Sequence, residues 1–299
     1  MAKEVTLTQK RRLWVRGRTT TLRGNNLSNC ISSEKRFAGK LDKLTRRMTD
    51  DVVKRVKRFF HSDLSREYFT ATDASISAQL RMLMNGMMRE YNAQYHKVSK
   101  KLSLQMINDV NKVSKSRLFS SLKKLTGGAK IKTDFLSPKM KELMKATTEE
   151  GADLIETIPV KFLSDVSTAV YQSVTNPEAG GMEGLERKIE RRLRDNVKHI
   201  HNKARNIAYD QTRKFYNNLN AERMRAVGLT KYEWVHSHAG QRPRKLHLEE
   251  LDGNIYPIDG PHPIIDERTG ERGIPGQAIN CRCTMLPVLE FDDGEEKKI

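Results

Sequence analysis

The sequence predicts an α+β fold class: a predominantly helical N-terminal region with long amphipathic helices, plus a small mixed α+β C-terminal module. Three observations carry that reading. Apolar residues recur at spacings of three and four through most of 35–219, the period of a helix with one buried face. Glycine and proline become frequent after Gly228. Short β-patterned runs, Tyr232-Glu233-Trp234-Val235 and Thr284-Met285-Leu286-Pro287-Val288-Leu289, lie in that last part.

Residues 1–30 mix basic residues with Thr19-Thr20-Thr21 and Gly24-Asn25-Asn26 and hold no period, which predicts an extended or partner-ordered arm. From about Lys35, Leu41, Leu44, Met48, Val52, Val56 and Phe59 define a helix with a basic surface. Leu80, Leu83, Met84, Met87, Met88, Tyr91, Tyr95 and Val98 form a second stripe, continued by Leu102, Met106, Val110 and Val113 and ended by Gly127-Gly128. Interrupted only by Gly86, it reads as a helical hairpin or a rod. Its methionines suit core filling or an adaptable docking face.

Ser137-Pro138 caps another helix running to about Glu156, and Pro159 opens a shorter one ending near Asn176-Pro177. Gly180-Gly181 is a hinge candidate. Leu185, Ile189 and Leu193 lead into Ile200, Ala204, Ile207, Ala208, Gln211, Phe215 and Leu219, one or two helices ending at Gly228. Asp266-Glu267-Arg268-Thr269-Gly270-Glu271-Arg272-Gly273 reads as a hairpin tip. The expected division is a basic arm at 1–34, a helical docking region at 35–180, a C-terminal module at 181–291 and a charged tail at 292–299.

With 37% hydrophobic and 31% charged residues, the chain is polar for a compact globule yet too apolar to be disordered. Its net charge of +18 is uneven, for residues 1–60 hold 17 Lys and Arg against 5 Asp and Glu, an excess of 12. Such a block attracts a polyanion by releasing condensed counterions, so double-stranded DNA is the leading partner. The candidate DNA-binding residues are Lys10, Arg11, Arg12, Arg16, Arg18, Arg23, Arg46, Arg47, Lys54, Arg55, Lys57 and Arg58. A solubilising basic surface is the plainer alternative. No apolar segment is long enough to span a bilayer and no leader pattern opens the chain, so no membrane partner is expected and the chain should be made in the cytoplasm.

Three cysteines, Cys30, Cys281 and Cys283, do not make a disulfide framework. Cys281 and Cys283 flank Arg282, and on an extended segment residues two apart project to one side, so both sulfurs could meet one metal ion. His236, His238, His247 and His262 are available to complete a nitrogen–sulfur shell. Cys281, Cys283 and His247 are therefore a candidate structural zinc site; two small side chains packed on a strand, with His247 hydrogen bonded, are the alternative. Arg242, Arg244 and His247 could hold a phosphate or carboxylate, or a salt bridge to Asp252 or Glu249.

In order along the chain come a helix with Ala204-Arg205-Asn206-Ile207-Ala208-Tyr209-Asp210-Gln211-Thr212, then Gly228, Trp234, Arg242-Pro243-Arg244-Lys245-Leu246-His247, Leu251-Asp252-Gly253, Pro275-Gly276, Asn280-Cys281-Arg282-Cys283 and Pro287. Over roughly Lys198 to Phe291 this resembles the phage Mu F-like minor head family. Two departures stand out: Ala239-Gly240-Gln241 where the family often has an acidic residue, and Tyr209-Asp210-Gln211 where it often reads Thr-Glu. The resemblance implies a head morphogenesis protein rather than an enzyme, located in the virion at the head interior or portal vertex. Implied partners are the portal protein, capsid or scaffold proteins and packaged DNA, and Arg242, Arg244, His247, Gly253, Pro275, Gly276, Asn280, Cys281, Arg282 and Cys283 are the shared structural motif. Competing readings are a generic DNA-binding protein and a metal-dependent nuclease using His236, His238 and His247 with Asp252 or Asp259. No carboxylate pair beside a lysine, phosphate loop or nucleophile elbow supports the latter.

Overall fold

A computed structural model of the chain describes residues 20–61, 75–128, 136–175, 181–238 and 243–291. Lys10, Arg11, Arg12, Arg16, Arg18, Gly180, Arg242, the Asn176-Pro177 boundary and the tail 292–299 lie outside the described residues. The fold is α+β, the described residues forming four long helices and a small C-terminal sheet region. The helices are α1 (Ile31–Phe60), α2 (Ser75–Leu125), α3 (Pro138–Thr175) and α4 (Gly181–Ala226). Six strands accompany them: β1 (Thr20–Arg23), β2 (Lys231–Val235), β3 (Ile255–Pro257), β4 (Ile264–Asp266), β5 (Glu271–Arg272) and β6 (Thr284–Phe291).

Two compact units emerge, each built from separate stretches of chain. One draws on Lys35–Gln105 and Thr148–Tyr209, the other on Met1–Glu34, Met106–Thr147 and Asp210–Ile299. In the first, Leu41, Met48, Val52 and Val56 of α1, Leu80, Met84, Met87, Tyr91 and Tyr95 of α2, and Ile155, Phe162, Leu163 and Val166 of α3 are buried together with Leu185, Ile189 and Leu193 of α4. Met84 and Met87 of the methionine stripe are thus core, while Met88 is half-buried.

The α2 stripe also turns. Ser99 and Ser103 are buried where Val98 and Leu102 were expected, and a Cβ on Gly151 would stand 2.4 Å from Ser103 Oγ, so small residues let two helices approach closely. Pro159 does not open a helix but sits inside α3. One missing backbone hydrogen bond is outweighed by the buried face of Ile155, Ile158, Phe162, Leu163 and Val166 on both sides of it.

In the second unit the sheet runs β1-β6-β2-β3, antiparallel throughout, with β4-β5 as a separate hairpin. Lys231, Glu233 and Val235 alternate with the buried Tyr232 and Trp234. Part of the expected basic arm belongs here: β1 pairs with β6, Gly24 and Leu27 donate to the Pro287 and Met285 carbonyls, and Leu27 and Cys30 are buried. The alternating Thr21-Leu22-Arg23 was too short a run to separate strand from coil.

The stretch 211–224 of α4 is buried on nearly every side, polar residues included. Three of its polar side chains take hydrogen-bond partners from other segments. Arg213 makes a two-pronged bond to Glu34, Asn220 Oδ1 accepts from Ser114 Oγ at 2.6 Å, and Arg223 Nη2 donates to Asn111 Oδ1 at 2.5 Å.

Candidate metal centre

The C-terminal module is built around β2, a short wide helical turn (Leu246–Leu251) and the loop entering β6. The turn carries His247 inward, and the residue is 2% exposed. Nε2 donates to the Ile265 carbonyl at 2.8 Å, which fixes the ring and leaves Nδ1 directed at the loop before β6. There Nδ1 lies 3.6 Å from Cys281 Sγ and 3.6 Å from Cys283 Sγ. Arg282 between them is exposed, as two-residue alternation predicts. The three candidate ligand atoms lie within 4.8 Å of one another, and all three residues are buried.

Several backbone devices hold this geometry. Asn280 adopts φ +59, a left-handed conformation asparagine tolerates, and its N–H donates to Asp210 Oδ1 at 3.1 Å. Cys283 N–H donates to Cys281 Sγ at 3.4 Å. Trp234 stands edge-on to the His247 ring, centroids 5.3 Å apart, with its indole N–H beside Cys283. Gly276 has φ +85, and a Cβ there would lie 2.3 Å from Asn217 Nδ2 and 3.3 Å from the Arg213 carbonyl. Gly276→Ala should therefore lower stability by roughly 1–3 kcal/mol, visible as a lower Tm. An unchanged Tm would mean the Pro275-Gly276 turn is not held against α4.

The electrostatics favour one thiolate beside the imidazole. Hydrogen bonding from Cys283 and from His247 holds Cys281 well below the ordinary thiol range. That same shared bond, together with burial, pushes Cys283 upward. Burial alone would lower His247, but the Cys281 sulfur and the Ile265 carbonyl outweigh it and the imidazole is raised.

The other predicted residues go elsewhere. His236 is buried, and desolvation lowers its pKa; its N–H donates to Asp252 Oδ1 and its Nδ1 accepts from the His238 backbone. His238 Nε2 lies 3.4 Å from Asp252, the His262 carbonyl accepts from Arg272, and Asp259 pairs with Arg225. His236, His238 and Asp252 lie close together, the two rings 4.9 Å apart, but among the described residues His247 points to the cysteines instead, and Asp259 to Arg225, so the set named for the nuclease reading does not share one point. Among the described residues of the expected anion cradle, Arg244 donates to the Ile279 carbonyl and His247 is turned to the cysteines; Arg242 lies outside the described residues. Gly253 makes the turn after the helical segment, its N–H donating to the Trp234 carbonyl.

Residues 165–286 match the family model described as Phage Mu protein F like protein. This chain carries a Mu F-like region. An uncharacterized protein of Haemophilus influenzae (strain ATCC 51907 / DSM 11121 / KW20 / Rd) is 31% identical over 157 residues, covering 52% of this chain and 32% of its own length. The chain thus spans about a third of that relative. No solved structure matches it. The Mu F-like match takes in the whole Cys281–Cys283–His247 cluster and all of α4, extending upstream of the motifs legible in the sequence. Trp234 and the Ile265 carbonyl were not foreseen as parts of the cluster. Both lie far from the cysteines in sequence, and only the order of motifs hinted that they converge.

Proposed function

We propose that this protein is a minor head protein of a tailed phage, acting in head morphogenesis at or near the portal and binding duplex DNA without sequence preference. The Mu F-like match carries the first part. The second rests on α1. Lys40, Lys43, Arg47, Lys54 and Arg58 follow spacings of three, four and seven along one exposed face, broken by Asp50. At about 1.5 Å per residue the stripe is roughly 27 Å long.

Among the residues named from the sequence, Arg47, Lys54 and Arg58 are exposed on that stripe. Others have acidic partners: Arg55 with Asp51 and Glu90, Lys57 with Glu190, Arg46 with Asp42, and Arg23 with Glu233. A helix that satisfies its flanking cations internally and turns one row outward suits phosphate contacts, which position without reading sequence.

The test is gel retardation of duplex DNA across salt concentrations. The wild-type chain should bind with a steep salt dependence, and the Arg47→Glu, Lys54→Glu, Arg58→Glu variant should bind weakly. Its slope of log affinity against log salt should be shallower by about 0.9 for each phosphate it no longer neutralises. Unaltered retention by the variant would refute the DNA assignment, and cleavage of the DNA with added magnesium or manganese would favour the nuclease reading. The head assignment is tested separately, by co-expression with the portal protein encoded in the same phage genome. Co-purification is expected, and a failure of portal, capsid and scaffold proteins alike to retain the chain would overturn it.

A further inference from the structure

We propose that Cys281, Cys283 and His247 bind one zinc ion as a structural site, with two thiolates and His247 Nδ1 as its protein ligands among the described residues. The distances are those of a metal site before any metal is placed. Tetrahedral zinc with Zn–S of about 2.3 Å and Zn–N of about 2.0–2.1 Å requires nitrogen–sulfur separations of about 3.6 Å. Both Nδ1–Sγ distances are 3.6 Å.

A single hydrogen bond at Nδ1, from a thiol to the ring or from the ring to a thiolate, sets one such distance but not both. With Nε2–H engaged by the Ile265 carbonyl, neutral His247 has a single in-plane lone pair on Nδ1, and one S–H at most can point along it. Two sulfurs equidistant from that nitrogen leave the lone pair aimed between them, where an ion shared by all three atoms would sit. The bond from Nε2 to a backbone carbonyl is also the arrangement that orients a metal-binding histidine and raises its basicity.

The surroundings of the sulfurs point the same way. The Cys283 backbone N–H donates to Cys281 Sγ, and the backbone of Ser237 hydrogen bonds to Cys283. The Trp234 indole N–H is buried without an oxygen or nitrogen acceptor and lies beside Cys283. Donors converging on two sulfurs suit thiolates, and two adjacent buried sulfurs become thiolates together only with a cation between them. Among the described residues, Arg244 donates to the Ile279 carbonyl and Arg282 is exposed. Bound zinc would join the Leu246–Leu251 turn to the start of β6 and contribute its binding free energy to folding of this unit.

The chain, purified under reducing conditions without chelator, should carry one zinc per chain by elemental analysis and native mass spectrometry. After zinc is stripped and cobalt(II) added, thiolate-to-cobalt charge-transfer absorption should appear together with the strong visible bands of a tetrahedral ion. Cys281→Ser and Cys283→Ser should each reduce the charge-transfer intensity by about half, and His247→Ala should shift the visible bands. Chelation should lower the Tm of the wild-type chain. Absence of stoichiometric zinc and of thiolate-to-cobalt absorption in the wild-type chain would overturn the proposal whatever the variants do. So would full zinc occupancy in a folded Cys281→Ser, Cys283→Ser, His247→Ala variant.

Discussion

Replacing Glu34 with Ala, or Arg213 with Met, should each lower stability by about 3–5 kcal/mol, the cost of leaving one buried charge without its partner. The pair is enclosed, with side-chain exposures of 5% for Glu34 and 7% for Arg213, and both prongs are made: Arg213 Nε to Oε1 at 3.1 Å and Nη2 to Oε2 at 2.9 Å. It ties the first turn of α1 to the buried stretch of α4, so its loss should be read directly in urea unfolding followed by far-ultraviolet circular dichroism. The double variant Glu34→Met, Arg213→Met should recover most of the loss, because two apolar side chains of similar volume remove both charges at once. Single variants within about 1 kcal/mol of wild type would show that water reaches the pair.

Trp234→Ala should cost about 3–5 kcal/mol, the usual penalty for emptying a large aromatic site. Trp234 is fully buried on β2, edge-on to His247 at 5.3 Å and to Tyr256 at 6.3 Å. It fills the space between the sheet and the histidine-bearing turn, so its removal leaves a cavity beside the cysteines. Trp234→Phe keeps most of the volume and should lose far less, roughly 1–2 kcal/mol. Equal Tm values for Trp234→Ala and wild type would contradict this packing. Because Trp14 is the only other tryptophan, quenching by iodide before and after unfolding also reports whether Trp234 is sheltered.

Periodicity made the helices legible, since Leu41, Met48, Val52 and Val56, or Leu80, Met84, Met87 and Tyr91, repeat the spacing that one buried face demands. It erred where burial is not apolar. Ser99, Ser103 and the polar residues of 211–224 are interior because other helices approach closely or supply hydrogen-bond partners, and a hydropathy stripe has no sign for either. Pro159 misled in the opposite sense: a strong local breaker yielded to the summed packing of α3.

The candidate site was half legible. Alternation put the two sulfurs on one side and Arg282 on the other, and the motif order joined His247 to them. His247 was named with the cysteines from the sequence, but why it faces them follows only from the meeting of β2, the Leu246–Leu251 turn and the entry to β6, while His236 and His238 turn toward Asp252.

What the sequence determined by itself was local: helix and strand type, the basic bias of the first sixty residues, the sidedness of Cys281 and Cys283, and the Mu F-like order of motifs. The tertiary structure alone decided which distant segments share a core. It set β1 beside β6, Glu34 against Arg213, and Nδ1 of His247 equidistant from two sulfurs. The physical reason is range. Side-chain period and turn chemistry act over a few residues, whereas burial and hydrogen-bond satisfaction are settled by whatever chain packs alongside, here up to some 270 residues away along the sequence.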